Sequence, residues 1–247
     1  MILKAKNIKK YFGGLKALNG ISLELNQDEV LGIIGPNGAG KSTLFNIICG
    51  VYPPTEGSIN FEGKDITGLK SHNIAKLGIA RTFQITHAFQ GMTVLDNVIA
   101  AIGMEKYNGL ISMFKIARKS DIVELAMNYI KLLNLEGLEN KKTGELSLGK
   151  MKIVEIARAL ALKPKILMLD EPCNGLSYGD IDIFLNLIFM LKEQKISIII
   201  IEHNMNVAMK ACDRLIVLNF GEEIADGIPK EIQNNPLVIK TYLGEEE

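Results

Sequence analysis

The sequence predicts an α/β fold with a largely parallel sheet and helices on both of its faces, and three observations carry that prediction. Four short apolar runs, Val30 to Ile34, Ile166 to Leu169, Ile198 to Ile201 and Leu215 to Leu218, have the length and continuity of strands buried on both sides. Helical periodicity separates the second run from the third, with Ile181, Phe184, Leu185, Ile188 and Phe189 on one side. A glycine-rich stretch joins the first run to the helical pattern Leu44-Phe45-Asn46-Ile47-Ile48.

The chain opens with strands, Ile2 to Ile8 and then Ile21-Ser22-Leu23-Glu24-Leu25 in strict alternation, ahead of the first buried run. Ser58-Ile59-Asn60-Phe61 is a further short strand, set off by Pro53-Pro54, Gly57 and Gly63. From about Met92 to Leu162 the pattern is helical. Asp121 to Leu133 places Ile122, Leu125, Ala126, Tyr129, Ile130 and Leu133 near one face, with Asp121 available as a cap. The expectation is one domain over 1–247, with a helical subdomain at approximately 88–160 inserted in it.

Composition bounds what such a domain does. Its 247 residues suffice for one sizeable core. Lys and Arg number 28, as do Asp and Glu, so there is no basic field of the kind that draws in nucleic acid. No apolar run approaches a membrane span, and the N-terminal residues lack a signal-peptide pattern. Cys49, Cys173 and Cys212 are scattered without metal-like spacing, which reads as reduced cytosolic thiols. Any link to a membrane must then come through a partner.

The glycine-rich stretch is Gly35-Pro36-Asn37-Gly38-Ala39-Gly40-Lys41-Ser42-Thr43, a full phosphate-binding P-loop between strand and helix. Its backbone N–H groups and the helix N-terminus surround phosphates, Lys41 reaches the β- and γ-phosphates, and the Ser42 hydroxyl is a ligand for Mg²⁺. A nucleoside triphosphate is the expected ligand. Asp170-Glu171 ends the second apolar run, so Asp170 is placed to hold Mg²⁺ and Glu171 to face an attacking water; a helix cap is the plainer reading. His203 follows the third run at its carboxyl end, where open α/β sheets bind ligands. Gln84, just ahead of the helical stretch, carries a carbonyl oxygen able to touch Mg²⁺ or water, but by spacing alone it is a polar loop residue.

Together these pieces resemble the ATP-binding subunit of ABC transporters. The fragment that carries the resemblance is Leu146-Ser147-Leu148-Gly149-Lys150, shortly before Glu155-Ile156-Ala157-Arg158-Ala159-Leu160. It is similar to the family's LSGGQ signature loop, with Leu148 for the first glycine of the pair and Lys150 for the glutamine. Ser147 and Gly149, which match the γ-phosphate contacts, are kept, and Ser147 also reads as a helix N-cap. The resemblance implies a P-loop NTPase (RecA-like) core with a mixed sheet, an antiparallel β part and a helical insertion. It implies that Phe12 stacks on adenine, with Tyr11 as the alternative and core packing open for either. It matches Gln84 to the Q-loop, His203 to the H-loop and Asn174-Gly175-Leu176-Ser177 to the D-loop, where Ser177 stands in place of a common Asp.

A narrower likeness rests on Gly78 to Gln84, Met92 to Val98, Ile201 to Met205, Leu218 to Glu222 and the tail Asn234 to Gly244. These resemble the longer ATPase subunit of high-affinity branched-chain amino acid importers. Related branches serving urea, short amides and lipopolysaccharide export, and a soluble non-transport ABC ATPase, are the alternatives. The resemblance implies Mg²⁺-dependent hydrolysis of ATP coupled to transport, with Glu171, His203 and Lys41 catalytic and with Ser42, Gln84 and Asp170 at the metal. It implies a head-to-tail dimer, with a second copy or a sister ATPase, in which Ser147 and Gly149 face the partner's ATP. Its further partners would be transmembrane permeases and, indirectly, an extracytoplasmic solute-binding protein, with the ATPase peripheral on the cytoplasmic face of the cell membrane. Gln84 and roughly Ile85 to Phe114 would relay closure to the permease, with Phe89 and Met92 as candidates for the docking groove and core packing as the other role for at least one of them.

Overall fold

The computed structural model describes residues 1–82, 88–106 and 120–243. Among them lie ten strands: β1 (Leu3–Phe12), β2 (Leu15–Leu25), β3 (Val30–Ile34), β4 (Glu56–Phe61), β5 (Lys64–Asp65), β6 (Ile79–Arg81), β7 (Ile166–Asp170), β8 (Ser197–Ile201), β9 (Arg214–Asn219) and β10 (Glu222–Gly227). The helices are α1 (Lys41–Ile48), α2 (Ser71–Leu77), α3 (Val94–Lys106), α4 (Ser120–Leu132), α5 (Leu148–Leu160), α6 (Tyr178–Glu193), α7 (Met205–Ala211), α8 (Pro229–Gln233) and α9 (Pro236–Leu243).

The main sheet runs β10-β9-β3-β8-β7-β6. Its five strands from β9 to β6 are parallel and β10 turns back antiparallel, which makes the sheet mixed. A second sheet, β2-β1-β4-β5, is antiparallel throughout. The apolar runs are continuous because alternate residues serve two different cores. Leu31, Ile33, Ile166, Met168, Ile199 and Ile201 point toward α1 and the antiparallel sheet. Val30, Ile34, Leu167, Leu169, Ile198 and Ile200 point toward the helices on the other face.

The strands β1 and β2 extend further than the alternation shows, to Phe12 and from Leu15, because their distal halves pair with each other while half exposed. β10 carries no apolar signal, since Glu222 and Glu223 open it. Helix α4 includes Asp121 in its first turn rather than as a cap, and it buries Ile122, Ala126 and Ile130 as its periodicity requires. On α6, Phe184, Leu185 and Ile188 are buried, whereas Phe189 is left 46% exposed. Between β6 and β7 the described elements are the helices α3, α4 and α5 and a short 3₁₀ turn at Thr143–Glu145. Asn97 fastens that region: its amide donates to the carbonyls of Phe89 and Thr93 and to Thr143 Oγ1.

Candidate active site

β3 ends in the main sheet's centre, and the chain then turns over its carboxyl end into α1, so the P-loop sits where open sheets bind ligands. The N-cap of α1 is Gly40, at φ +100°, and no side chain caps the helix. A side chain there would strike the Ala17 carbonyl oxygen at 2.7 Å, so only glycine lets the loop lie against β2. The uncapped N–H groups at the start of α1 are donors waiting for an anion. Lys41 is buried, and its Nζ donates to the carbonyls of Gly35 (2.7 Å) and Pro36 (2.9 Å), folded back into its own loop. Burial lowers its pKa, and the nearby carboxylates of Glu171 and Asp170 oppose that shift.

Asp170 is the last residue of β7, two strands from β3. Burial pushes its pKa up, with the Arg81 guanidinium opposing. Arg81, at the end of β6, reaches Asp170 Oδ2 at 3.4 Å and Asn46 Oδ1 at 2.7 Å, and lies over the Phe45 ring. Asp170 Oδ1 is buried without a hydrogen-bond partner. A buried, unpartnered carboxylate oxygen beside a P-loop fits a hard divalent cation shared with substrate phosphates. Among the described residues no three His, Cys, Asp or Glu side chains cluster to hold a metal on their own. Asp170 and Ser42 together with phosphate oxygens therefore suit Mg²⁺ better than a protein-only site.

Glu171 follows with a left-handed φ of +45°, a conformation that costs a non-glycine residue about 1 kcal/mol or more. Its backbone N–H is pinned to the Ile201 carbonyl at the end of β8. That turn separates the two acids: Asp170 stays under Arg81, while Glu171 Oε2 lies 3.8 Å from His203 Nδ1. His203 is half exposed, just past β8. The structure thus brings together Lys41, Asp170, Glu171 and His203 at the carboxyl ends of the sheet's inner strands.

A cleft of about 570 Å³ opens over these strand ends, lined by the P-loop residues Asn37 to Thr43, by Glu171 and by Phe12. Phe12 is 45% exposed, makes an edge-on contact with Tyr52 and lies near the Lys10 ammonium, so it is a rim residue rather than a core one. Tyr11 does not line the cleft. Ser147 and Gly149 do not line it either. Ser147 is the N-cap of α5, accepting from the Lys150 N–H at 3.4 Å, and Gly149 is held so close to α6 that a Cβ would sit 2.8 Å from the Asp180 carboxylate. Gln84 and much of the stretch from Ile85 to Phe114 lie outside the described residues, so its expected place at the metal is not described. Phe89, 48% exposed, lies against the Arg158 guanidinium, and Met92 is 41% exposed.

Arg81, Asn46 and Lys152 carry no signal in spacing, because their partners are 35 to 89 positions away or are backbone carbonyls. Among the described residues no helix is long and apolar enough to cross a membrane.

Comparison with known proteins agrees with this geometry. The family described as "ABC transporter" matches residues 18–174, and that described as "Branched-chain amino acid ATP-binding cassette transporter" matches residues 222–247. The high-affinity branched-chain amino acid transport ATP-binding protein BraF of Pseudomonas aeruginosa is 40% identical, over 99% of this chain and 98% of its own. The ADP conformation of MJ1267, an ATP-binding cassette of an ABC transporter, superposes with a TM-score of 0.88 at 39% identity, covering 99% of each chain. The dimeric structure of MJ0796, a bacterial ABC transporter cassette, does so with a TM-score of 0.79 at 30% identity, covering 92% of this chain and 99% of that one. A P-loop cleft, paired acids after a buried strand and a serine-capped helix, in a chain alike from end to end, lead to one conclusion: this chain belongs to the ABC transporter family and is one of its ATP-binding subunits.

Proposed function

We propose that this subunit hydrolyses ATP in a head-to-tail dimer and so drives import of branched-chain amino acids. The observation that carries the dimer is the division of the site. The cleft holds Lys41 and Glu171, while Ser147 and Gly149 stand apart from it on α5. Each ATP would lie between the P-loop of one protomer and the serine-capped helix of the other. The helix N-terminus then meets the γ-phosphate as a second dipole.

Within one protomer the roles follow from geometry. Adenine stacks on Phe12, and the triphosphate draws Lys41 Nζ away from the Gly35 and Pro36 carbonyls. Ser42 and Asp170 would hold Mg²⁺, which would supply neutralisation of the phosphate charge. Arg81 holds one oxygen of Asp170, and the other, buried without a hydrogen-bond partner, would serve the metal. Glu171 polarises the attacking water, and His203 beside it keeps that water in line. Loss of the γ-phosphate removes what the two protomers share, and the interface opens.

The solute reading is supported by the tail that matches the branched-chain amino acid cassette family and by the likeness to BraF. The ATPase is then peripheral on the cytoplasmic face of the membrane, its permeases docking near Phe89 and Met92, with a solute-binding protein outside. Two experiments test this. Glu171→Gln should bind ATP, lose turnover and accumulate as an ATP-bound dimer on gel filtration; a persistent monomer, also in the full complex, counts against the dimer. In vesicles holding the complete transporter, leucine, isoleucine or valine should stimulate ATP hydrolysis. Stimulation by urea or short amides alone would transfer the subunit to another branch.

A further inference from the structure

The structure assigns Lys152 a role that no motif records: we propose that it is a positioning residue that makes the serine-capped helix and the turn carrying Glu171 move as one body, and so couples the dimer's two ATP sites. The inference rests on the head-to-tail reading above. Lys152 lies on α5, one turn after Ser147, and is 9% exposed. Its Nζ donates to the carbonyl oxygens of Asn174 (2.7 Å), Pro172 (2.8 Å) and Glu171 (3.3 Å). All three ammonium protons are thus spent on three carbonyls of the single turn 171–174.

Burying an ammonium is costly, and burial pushes the Lys152 pKa down. An apolar side chain of the same volume would pack here without that penalty. What the ammonium adds is direction: three hydrogen bonds aimed at the backbone that sets the left-handed Glu171 and the loop after it. Two more contacts brace the same pair of elements. Leu148 lies over Gly175, where an added Cβ would come within 3.1 Å, and Gly149 abuts Asp180. The start of α5 therefore rests on residues 171–180 along its length.

The consequence is specific to a composite site. Ser147 meets the partner's nucleotide, whereas Glu171 works on the protomer's own. A pull on Ser147 when the partner's ATP docks is passed through Lys152 to the Glu171 turn, so each site reports its occupancy to the other.

The test uses the full-length chain and follows ATP hydrolysis against ATP concentration. The wild type should be sigmoidal, with a Hill coefficient approaching 2 for two coupled sites. Lys152→Met should drop that coefficient to near 1 and lower kcat roughly tenfold, while binding of a fluorescent ATP analogue to the monomer stays within about twofold. Lys152→Arg should restore cooperativity. If Lys152→Met does not bind the analogue, Lys152→Gln, which keeps two N–H donors, is read in its place. A wild-type Hill coefficient in whichever of the two binds nucleotide overturns the proposal, because loss of a merely structural contact scales kcat without changing cooperativity. A hyperbolic wild type, with Glu171→Gln staying monomeric in ATP, overturns the composite-site reading itself.

Discussion

The two helix N-termini that the proposed dimer site would use are finished differently. The start of α1 has a glycine N-cap at φ +100° and no side-chain acceptor, so its N–H groups are open to an incoming anion. The start of α5 is closed by Ser147, whose hydroxyl accepts from Lys150 N over a long 3.4 Å bond. An open terminus with a lysine beside it is expected to bind nucleotide on its own. A self-capped terminus with a weak cap has little reason to bind phosphate alone, yet can turn its serine outward when a γ-phosphate is delivered. In the proposed head-to-tail dimer the difference predicts an order of events: the P-loop would bind first within one protomer, and the α5 terminus would join second, across the dimer.

That order is broken most severely at the open terminus. Lys41→Ala should weaken nucleotide binding to the monomer by about a hundredfold or more, since it removes a charge-assisted contact in a partly buried site, as equilibrium fluorescence titration reads. Ser147→Arg should abolish hydrolysis while leaving monomer binding unchanged; weakened binding in the monomer would mean that α5 acts in cis. Mixing Lys41→Ala with Ser147→Arg protomers should rebuild one intact site and recover part of the activity. Phe12→Ala should weaken nucleotide binding roughly tenfold, within the usual 1–3 kcal/mol of a base stacked on an aromatic. The smallest effect is expected from Ser147→Ala on stability: loss of the cap costs about 1 kcal/mol, visible as a modest drop in Tm. An unchanged Tm would mean that the 3.4 Å bond contributes nothing in the absence of nucleotide.

The sites themselves were legible to unequal degrees. Gly35 to Thr43 can be read directly because nine neighbouring residues carry a local job, a loop with inward N–H groups ahead of a helix. Asp170-Glu171, with a separate role for each acid, is legible because a buried strand ends there, but the neighbours that hold the two apart are not. Their separation depends on the left-handed turn at Glu171 and on Arg81, 89 positions from Asp170. Phe12 needed the resemblance, and the fold gives it a rim position that a core aromatic would lack. β10 escaped the periodicity because its residues are exposed or half exposed, so no buried face shows in the sequence.

The sequence by itself determined the strand runs, the P-loop, the acids and the serine cap, because each depends on residues within one turn or one strand of each other. Only the tertiary structure decided which acid meets Arg81 and which meets His203, and that Lys152 ties α5 to the Glu171 turn. Those arrangements depend on which strands become neighbours, and that is settled by the shared burial of two cores rather than by any local pattern.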